Sequence, residues 1–186
     1  MSWSCRRPLS TRSGQTNGRD AYIPNAISHQ MKASMTSDDG ILRVVDDAFG
    51  DVARPEHFTA ADGDPECMDH DRLLHSRTTK TLTIEDVGHI GYDPLVECFP
   101  QGLAYFFPAL ARFALADSRP HDWYAFQLAL HLTRDGTANR FLNFCTDSQK
   151  AAVFAVFAHI QTTWAEKIES ECCAEEIENC VALWRD

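Results

Sequence analysis

Apolar residues recur at helical spacing through most of this chain. Ile41, Val44, Val45, Ala48 and Phe49 fall at i, i+3, i+4, i+7 and i+8, the stripe of an amphipathic helix. Ser37 precedes them as an N-cap, and Asp38 and Asp39 suit the positive end of a helix dipole. The pattern predicts a helix from about Asp38 to Asp51, with Pro55 stopping any continuation. Pro55, Gly63 and Pro65 mark 52–66 as loop. A short helix from Glu66 to about Arg77 follows, with Met68, Leu73 and Leu74 available for burial.

The next stretch is ambiguous. Thr78–Ile84 has strand composition, but Thr83 followed by Asp86 equally caps a helical turn. Gly88, Gly91, Pro94 and Pro100 make 87–101 a long connection, in which Leu95–Phe99 has room for one short strand. A two-stranded pairing of these segments is open.

The core is expected further on. Residues 102–116 are strongly apolar, with Phe106, Leu110, Phe113 and Ala114 on one face. Pro108 lies inside, so either the helix kinks or two helices meet there. Trp123–Leu132 reads as a second apolar helix, opened by Ser118 and Pro120 and ended near Gly136, and Asn139–Cys145 as a short third. Thr146 and Gln149 form a capping box ahead of Ala151–Trp164, which is apolar on most sides and hence central. The final stretch carries Trp164, Ile168 and Cys172, then Cys173, Ile177, Cys180, Val181 and Trp184, as two stripes on a helix or a bent continuation. Cys172 and Cys173 are expected to be helical there and to point in different directions. The second stripe must be covered by this domain or by a partner, which makes the C-terminal amphipathic helix the candidate protein contact.

The predicted architecture is mostly α: one helical domain over 37–186, a loop-rich layer at 52–101 and at most a short two-stranded β pairing. Composition agrees, since 186 residues that are 44% hydrophobic, with 11 Phe and 4 Trp, can build a core without staples. The net charge of −10 argues against nucleic acid and anionic membrane surfaces as partners. The charge is uneven. Residues 1–35 carry Arg6, Arg7, Arg12, Arg19 and Lys32 against Asp20 alone, amid Ser, Thr, Gly and Asn. Residues 1–36 therefore read as a disordered basic extension. One explanation is an Arg-rich, acid-poor transit peptide. Another is a start site placed too far upstream, with Met31 or Met35 the true start, which the helix signal directly after Met35 favours; a functional tail is the remaining reading. Seven Cys, an odd number in no disulfide pattern, fit reduced thiols in a cytoplasm. No run of about 18 apolar residues suggests a membrane span.

Signals for chemistry are sparse. Cys67 and His70 stand at i, i+3 and can share one Zn²⁺, with Asp71, His75 or Cys98 completing the shell. No second Cys or His pair closes that set, so a helix surface with a half-buried Cys is the preferred reading and no resident cofactor is expected. His–Asp dipeptides occur at His70–Asp71 and His121–Asp122. Together with His89 and Asp135 or Asp147, the second could mimic a helical metal phosphohydrolase, but Asp122 at a helix start is the plainer account. There is no G-x-S-x-G, phosphate loop or H-E-x-x-H. His131 and His159 lie on apolar helices and read as satisfied core residues.

Several segments taken in order, Ala48–Pro55, Glu66–Asp71, Thr81–Gly88 and Gly91–Pro94, resemble a family of small, mainly bacterial proteins classed only as a domain of unknown function. The resemblance covers about residues 40–160. It implies a shared fold and a bacterial cytoplasmic setting, and carries over no activity. Members often hold another Cys near the position of Asp64; this chain departs there, which weakens a Cys–Cys–His metal set.

The polar residues of the loop-rich layer, His57, Cys67, His70, Asp71, Glu85, Asp86, His89, Tyr92 and Asp93, are where a site is expected. The leading expectation is a non-enzymatic protein-interaction module; the alternative is a metal-dependent hydrolase using that layer. Converging His and Asp side chains would favour the hydrolase, and an exposed Trp184 stripe the module.

Overall fold

Helix α1, Asp38–Phe49, starts where the Ser37 hydroxyl accepts the Gly40 N–H at 3.2 Å. The computed structural model that shows this describes residues 37–60, 64–89, 91–116 and 123–185. The predicted extension over 1–36, the helix opening at Ser118 and Pro120, and the His121–Asp122 dipeptide lie outside the described residues. Asp64 caps α2, Pro65–His75, and Pro65 takes the first turn, where a missing N–H costs nothing. A single turn, α3, spans Ile84–Val87. Helix α4, Pro100–Leu115, runs through Pro108 without dividing. Then come α5, Tyr124–Thr133, a 3-10 turn at Gly136–Ala138, and α6, Arg140–Phe144. Helix α7, Asp147–Thr163, begins with the predicted box: Thr146 N–H donates to Gln149 Oε1 at 3.0 Å, and Gln149 N–H to Thr146 Oγ1 at 3.3 Å. Two more helices follow, α8, Ala165–Ser170, and α9, Ala174–Trp184.

Five of these helices close a ring. Helix α4 packs on α1 and α5, α1 on α7, α7 on α9, and α9 back on α5. A run of aromatic contacts crosses the interior: Phe49 to Phe107 at 4.7 Å, Phe107 to Phe141 at 5.9 Å and Phe141 to Trp184 at 5.6 Å between ring centroids. Each such side chain, once buried, stabilises the fold by about 1.5–3 kcal/mol. The second C-terminal stripe is therefore covered by this domain: Cys173, Ile177, Cys180, Val181 and Trp184 are all buried, and the Trp184 indole donates to the Leu132 carbonyl at 3.1 Å. His159, on α7, contacts Asp38 at the start of α1 at 2.6 Å, and His131 contacts buried Asp93 at 2.7 Å. Both histidines are satisfied, as expected for core positions.

Two local expectations change. Among the described residues there is no strand, so 78–84 and 95–99 do not pair. Side chains take the backbone donors that a ladder would need: Thr81 Oγ1 accepts from Thr78 N–H at 2.8 Å, Asp86 from Thr83 N–H at 2.8 Å and Asp93 from Leu95 N–H at 2.9 Å. The second concerns the neighbouring cysteines, which break the helix rather than sit on it. Cys172 is left-handed at φ 54°, and Cys173 N–H reaches back to the Ile168 carbonyl at 3.2 Å. That is a helix stop usually built with glycine. No helix of the described residues is long and apolar enough to cross a membrane.

Candidate metal centre

Residues on α2 turn about 100° apart, so neighbours diverge and i, i+4 pairs align. Asp71 and His75 therefore share one face, and His70 points elsewhere. The Asp71 side chain, only 10% exposed, faces the loop before the helix. Its Oδ1 accepts the Phe58 N–H at 2.6 Å and the Thr59 N–H at 3.2 Å. The Thr59 hydroxyl donates to the Cys67 carbonyl at 2.7 Å, and the Phe99 N–H to the Phe58 carbonyl at 2.6 Å. Pinned at these points, the loop delivers His57 to the same carboxylate.

Asp71 Oδ2 lies 3.3 Å from His57 Nδ1 and 3.7 Å from His75 Nε2. Ligand atoms of all three residues fall within 4.8 Å of one another. A tetrahedral zinc site with bonds of about 2.0 Å separates its ligands by about 3.3 Å, so the set needs little closure to hold one ion. His57 and His75 are 55% and 39% exposed, which leaves an approach from solvent. Burial raises the Asp71 pKa, but the N–H groups of Phe58 and Thr59, the His57 side chain and the charge of His75 outweigh it. The carboxyl is held below its ordinary value of 3.8 and is ionised at neutral pH.

His75 Nε2 also stands 2.5 Å from the Glu56 carbonyl, to which it donates, and the Arg54 guanidinium donates to the His75 carbonyl. The His75 ring meets Phe58 edge-on at 5.2 Å. These contacts hold the rings close to Asp71 before any ligand arrives.

The other expected site residues divide. Cys67, His70 and Asp93 line a separate pocket together with Asp64, Glu66 and Glu97. The expected metal pair, Cys67 and His70, gains no third ligand within 4.8 Å among the described residues. Tyr92 stands against His70 with ring centroids 4.5 Å apart. Asp86 is structural: Arg77 donates to both of its oxygens at 2.8 Å, which holds the carboxyl below its ordinary value against the effect of burial. Glu85 and His89 are exposed and belong to neither grouping. Cys98 is buried at 6% exposure, and that burial, followed by the charges of Asp71 and Asp93, pushes its thiol far up. Cys145 is pushed up to about 12 by burial. Neither is an activated nucleophile.

Two imidazoles and one carboxylate are residue types that could supply three ligands to a transition-metal ion. His57 is the member that spacing alone could not attach, since its approach depends on backbone hydrogen bonds from the following two residues. No protein-family model, curated protein or solved structure matches this chain.

Proposed function

We propose that the protein binds a divalent transition metal, zinc first, through His57, Asp71 and His75, and that the ion serves hydrolytic chemistry. The observation that carries this reading is the convergence of two imidazoles, His57 and His75, on the Asp71 carboxylate, with ligand atoms of all three within 4.8 Å of one another. The ligand types favour zinc or a neighbouring first-row ion over magnesium or calcium, which prefer all-oxygen shells. An ion held by His57, Asp71 and His75 would supply Lewis-acid chemistry, activating water for hydrolysis. The rival reading, a protein-interaction module contacting a partner through the C-terminal helix, is less favoured because that stripe packs against α5 and α7.

A second reading has its own support. Asp71 also clasps the 56–59 loop, and His75 donates to Glu56, so the three residues could serve the fold alone. Isothermal titration of metal-stripped protein with Zn²⁺ separates the two. Metal binding predicts one site per chain, with His57→Ala and His75→Ala each weakening it about 10–100-fold or more, while the circular dichroism of both variants is unchanged. Zinc affinity unaltered by either substitution leaves only the clasp.

A further inference from the structure

The bond to buried Asp93 occupies one ring nitrogen of His131 and leaves the other free. Asp93 accepts the Leu95 N–H at 2.9 Å, the Gln127 amide at 2.5 Å and His131 Nε2 at 2.7 Å. A carboxylate only accepts, so Nε2 carries the proton and Nδ1 offers a lone pair. Among the described residues Nδ1 has no hydrogen-bond partner, and unlike the ring nitrogens of His70 it is not sealed from solvent. The His131 side chain keeps 11% exposure and lines a cavity of about 230 Å³ with Asp93, Val96, Phe126, Gln127, Leu130 and Arg134. Helical spacing builds one wall of it: Gln127, Leu130, His131 and Arg134 fall at i, i+3, i+4 and i+7 along α5 and its end. Val96 and Leu130 are exposed apolar side chains at its mouth. Among the described residues Arg134 forms no ion pair. The cavity thus joins an apolar wall, one lone-pair acceptor and one free guanidinium.

We propose that this cavity binds a small hydroxylated aromatic carboxylate, with its hydroxyl donating to His131 Nδ1, its carboxylate paired with Arg134 and its ring against Phe126 and Leu130. Each part of the lining selects one part of the ligand. The lone pair of Nδ1 needs a donor, which a carboxylate by itself lacks. The Arg134 fork matches a planar anion. The apolar side chains favour a flat ring, whose burial is worth more than that of a short polar chain. The cavity is smaller than the about 300–1,000 Å³ of drug-sized sites, which limits the ligand to about one ring. Asp93, with three donors already on it, contacts no ligand and acts as a positioning residue for His131 and Gln127. His57, Asp71 and His75 do not line this cavity, so the site stands apart from the metal centre.

The test uses the full chain in EDTA, so that no metal competes for the carboxylate, with 3-hydroxybenzoate and 4-hydroxybenzoate as probes. Calorimetry is expected to show one saturable site for at least one isomer. Benzoate, which lacks the donor, and phenol, which lacks the anion, are each expected to bind at least tenfold more weakly. In ¹⁵N-edited imidazole spectra the His131 Nδ1 signal is expected to shift as the hydroxybenzoate site fills and to stay in place with benzoate. Arg134→Gln is expected to lower hydroxybenzoate affinity at least tenfold and to leave phenol binding unchanged, a split that a merely structural role would not produce. Lys80→Gln, which removes one positive charge from an exposed position outside the cavity, is expected to change neither. Equal losses in Arg134→Gln and Lys80→Gln, or benzoate and phenol binding as tightly as the hydroxybenzoates, would overturn the proposal. So would saturation without movement of the His131 signal, or no binding of either isomer at millimolar concentration.

Discussion

Asp71 accepts the backbone N–H of Phe58 at 2.6 Å across thirteen residues of chain. One helical carboxylate therefore fixes a loop, positions His57 and faces His75 at the same time. Truncating it should be costly. Asp71→Ala strands two buried donors, each worth about 1–3 kcal/mol when left unpaired. The urea midpoint should fall accordingly, by a loss of at least 2 kcal/mol with an unchanged slope. An effect below about 0.5 kcal/mol would mean that the loop is held by other contacts.

Acid should weaken the fold through the same carboxylate and through Asp86. Both have pKa values lowered in the folded chain from an ordinary 3.8. Their contribution is therefore complete above that value and is lost as the pH falls through the lower folded values. Urea unfolding at pH 6 and at pH 2.5 should show wild type losing more stability than Asp86→Asn over that interval. Equal losses would show that Asp86 titrates alike in the folded and unfolded chains.

Zinc affinity should fall as the pH is lowered from 7.5 to 5.5. A metal takes an imidazole nitrogen only in its unprotonated form, so protons compete with it for His57 and His75. His75 Nε2, which donates to the Glu56 carbonyl, must give up that proton to Nδ1 or to solvent. Calorimetry in buffers of different ionisation enthalpy should detect proton release on binding. A heat independent of the buffer would assign ligation to other atoms.

Gly102 on α4 lies under the loop that carries His57. A Cβ there would stand 2.7 Å from Cys98 Sγ and 2.9 Å from Phe58 Cδ1. Helix propensity alone favours alanine by about 1 kcal/mol. A net destabilisation of about 1–2 kcal/mol in Gly102→Ala would mean that overpacking has overcome that gain. Weaker zinc binding should accompany it, because Phe58 must move. A stabilised variant with unchanged zinc affinity would show that the contact relaxes freely.

Thiol labelling of the native protein should rank the cysteines by burial. Cys172 is exposed, whereas Cys98, Cys145, Cys173 and Cys180 are buried. Burial, with Glu176 and Glu171 nearby, pushes Cys173 up to about 11. Alkylation mapped by mass spectrometry should modify Cys172 well before these four; early modification of Cys180 would indicate that α9 opens readily.

The helical part of the fold was readable because caps and stripes agreed. Ser37 and the run from Ile41 to Phe49 pointed to one helix and Thr146 to another, and both are there. By sequence the threonine-rich 78–84 segment stays open between strand and capped turn, because β-branched composition reports a preference for pleated backbone, while the outcome, the Thr83–Asp86 capped turn, depended on where Thr81, Asp86 and Asp93 sent their oxygens. The site was half legible. Asp71 and His75 share a face by helical spacing, but the Cys67–His70 pair looked the better metal set by ligand type. Fold topology brings a different set together: His57 reaches Asp71 beside the bonds that the Phe58 and Thr59 N–H groups make to that carboxylate. His131 and His159 were readable as core positions, although their partners Asp93 and Asp38 were not, being 38 and 121 residues away.

The closure of the helical ring by α9 has a consequence for synthesis. Emerging from the ribosome in order, α5 and α7 would present apolar side chains, Leu128, Leu132 and Phe157 among them, with nothing to cover them until Trp184 has cleared the exit tunnel. Vectorial folding is thus left with an open, sticky intermediate until α9 arrives, the kind of nascent species that holdase chaperones shield.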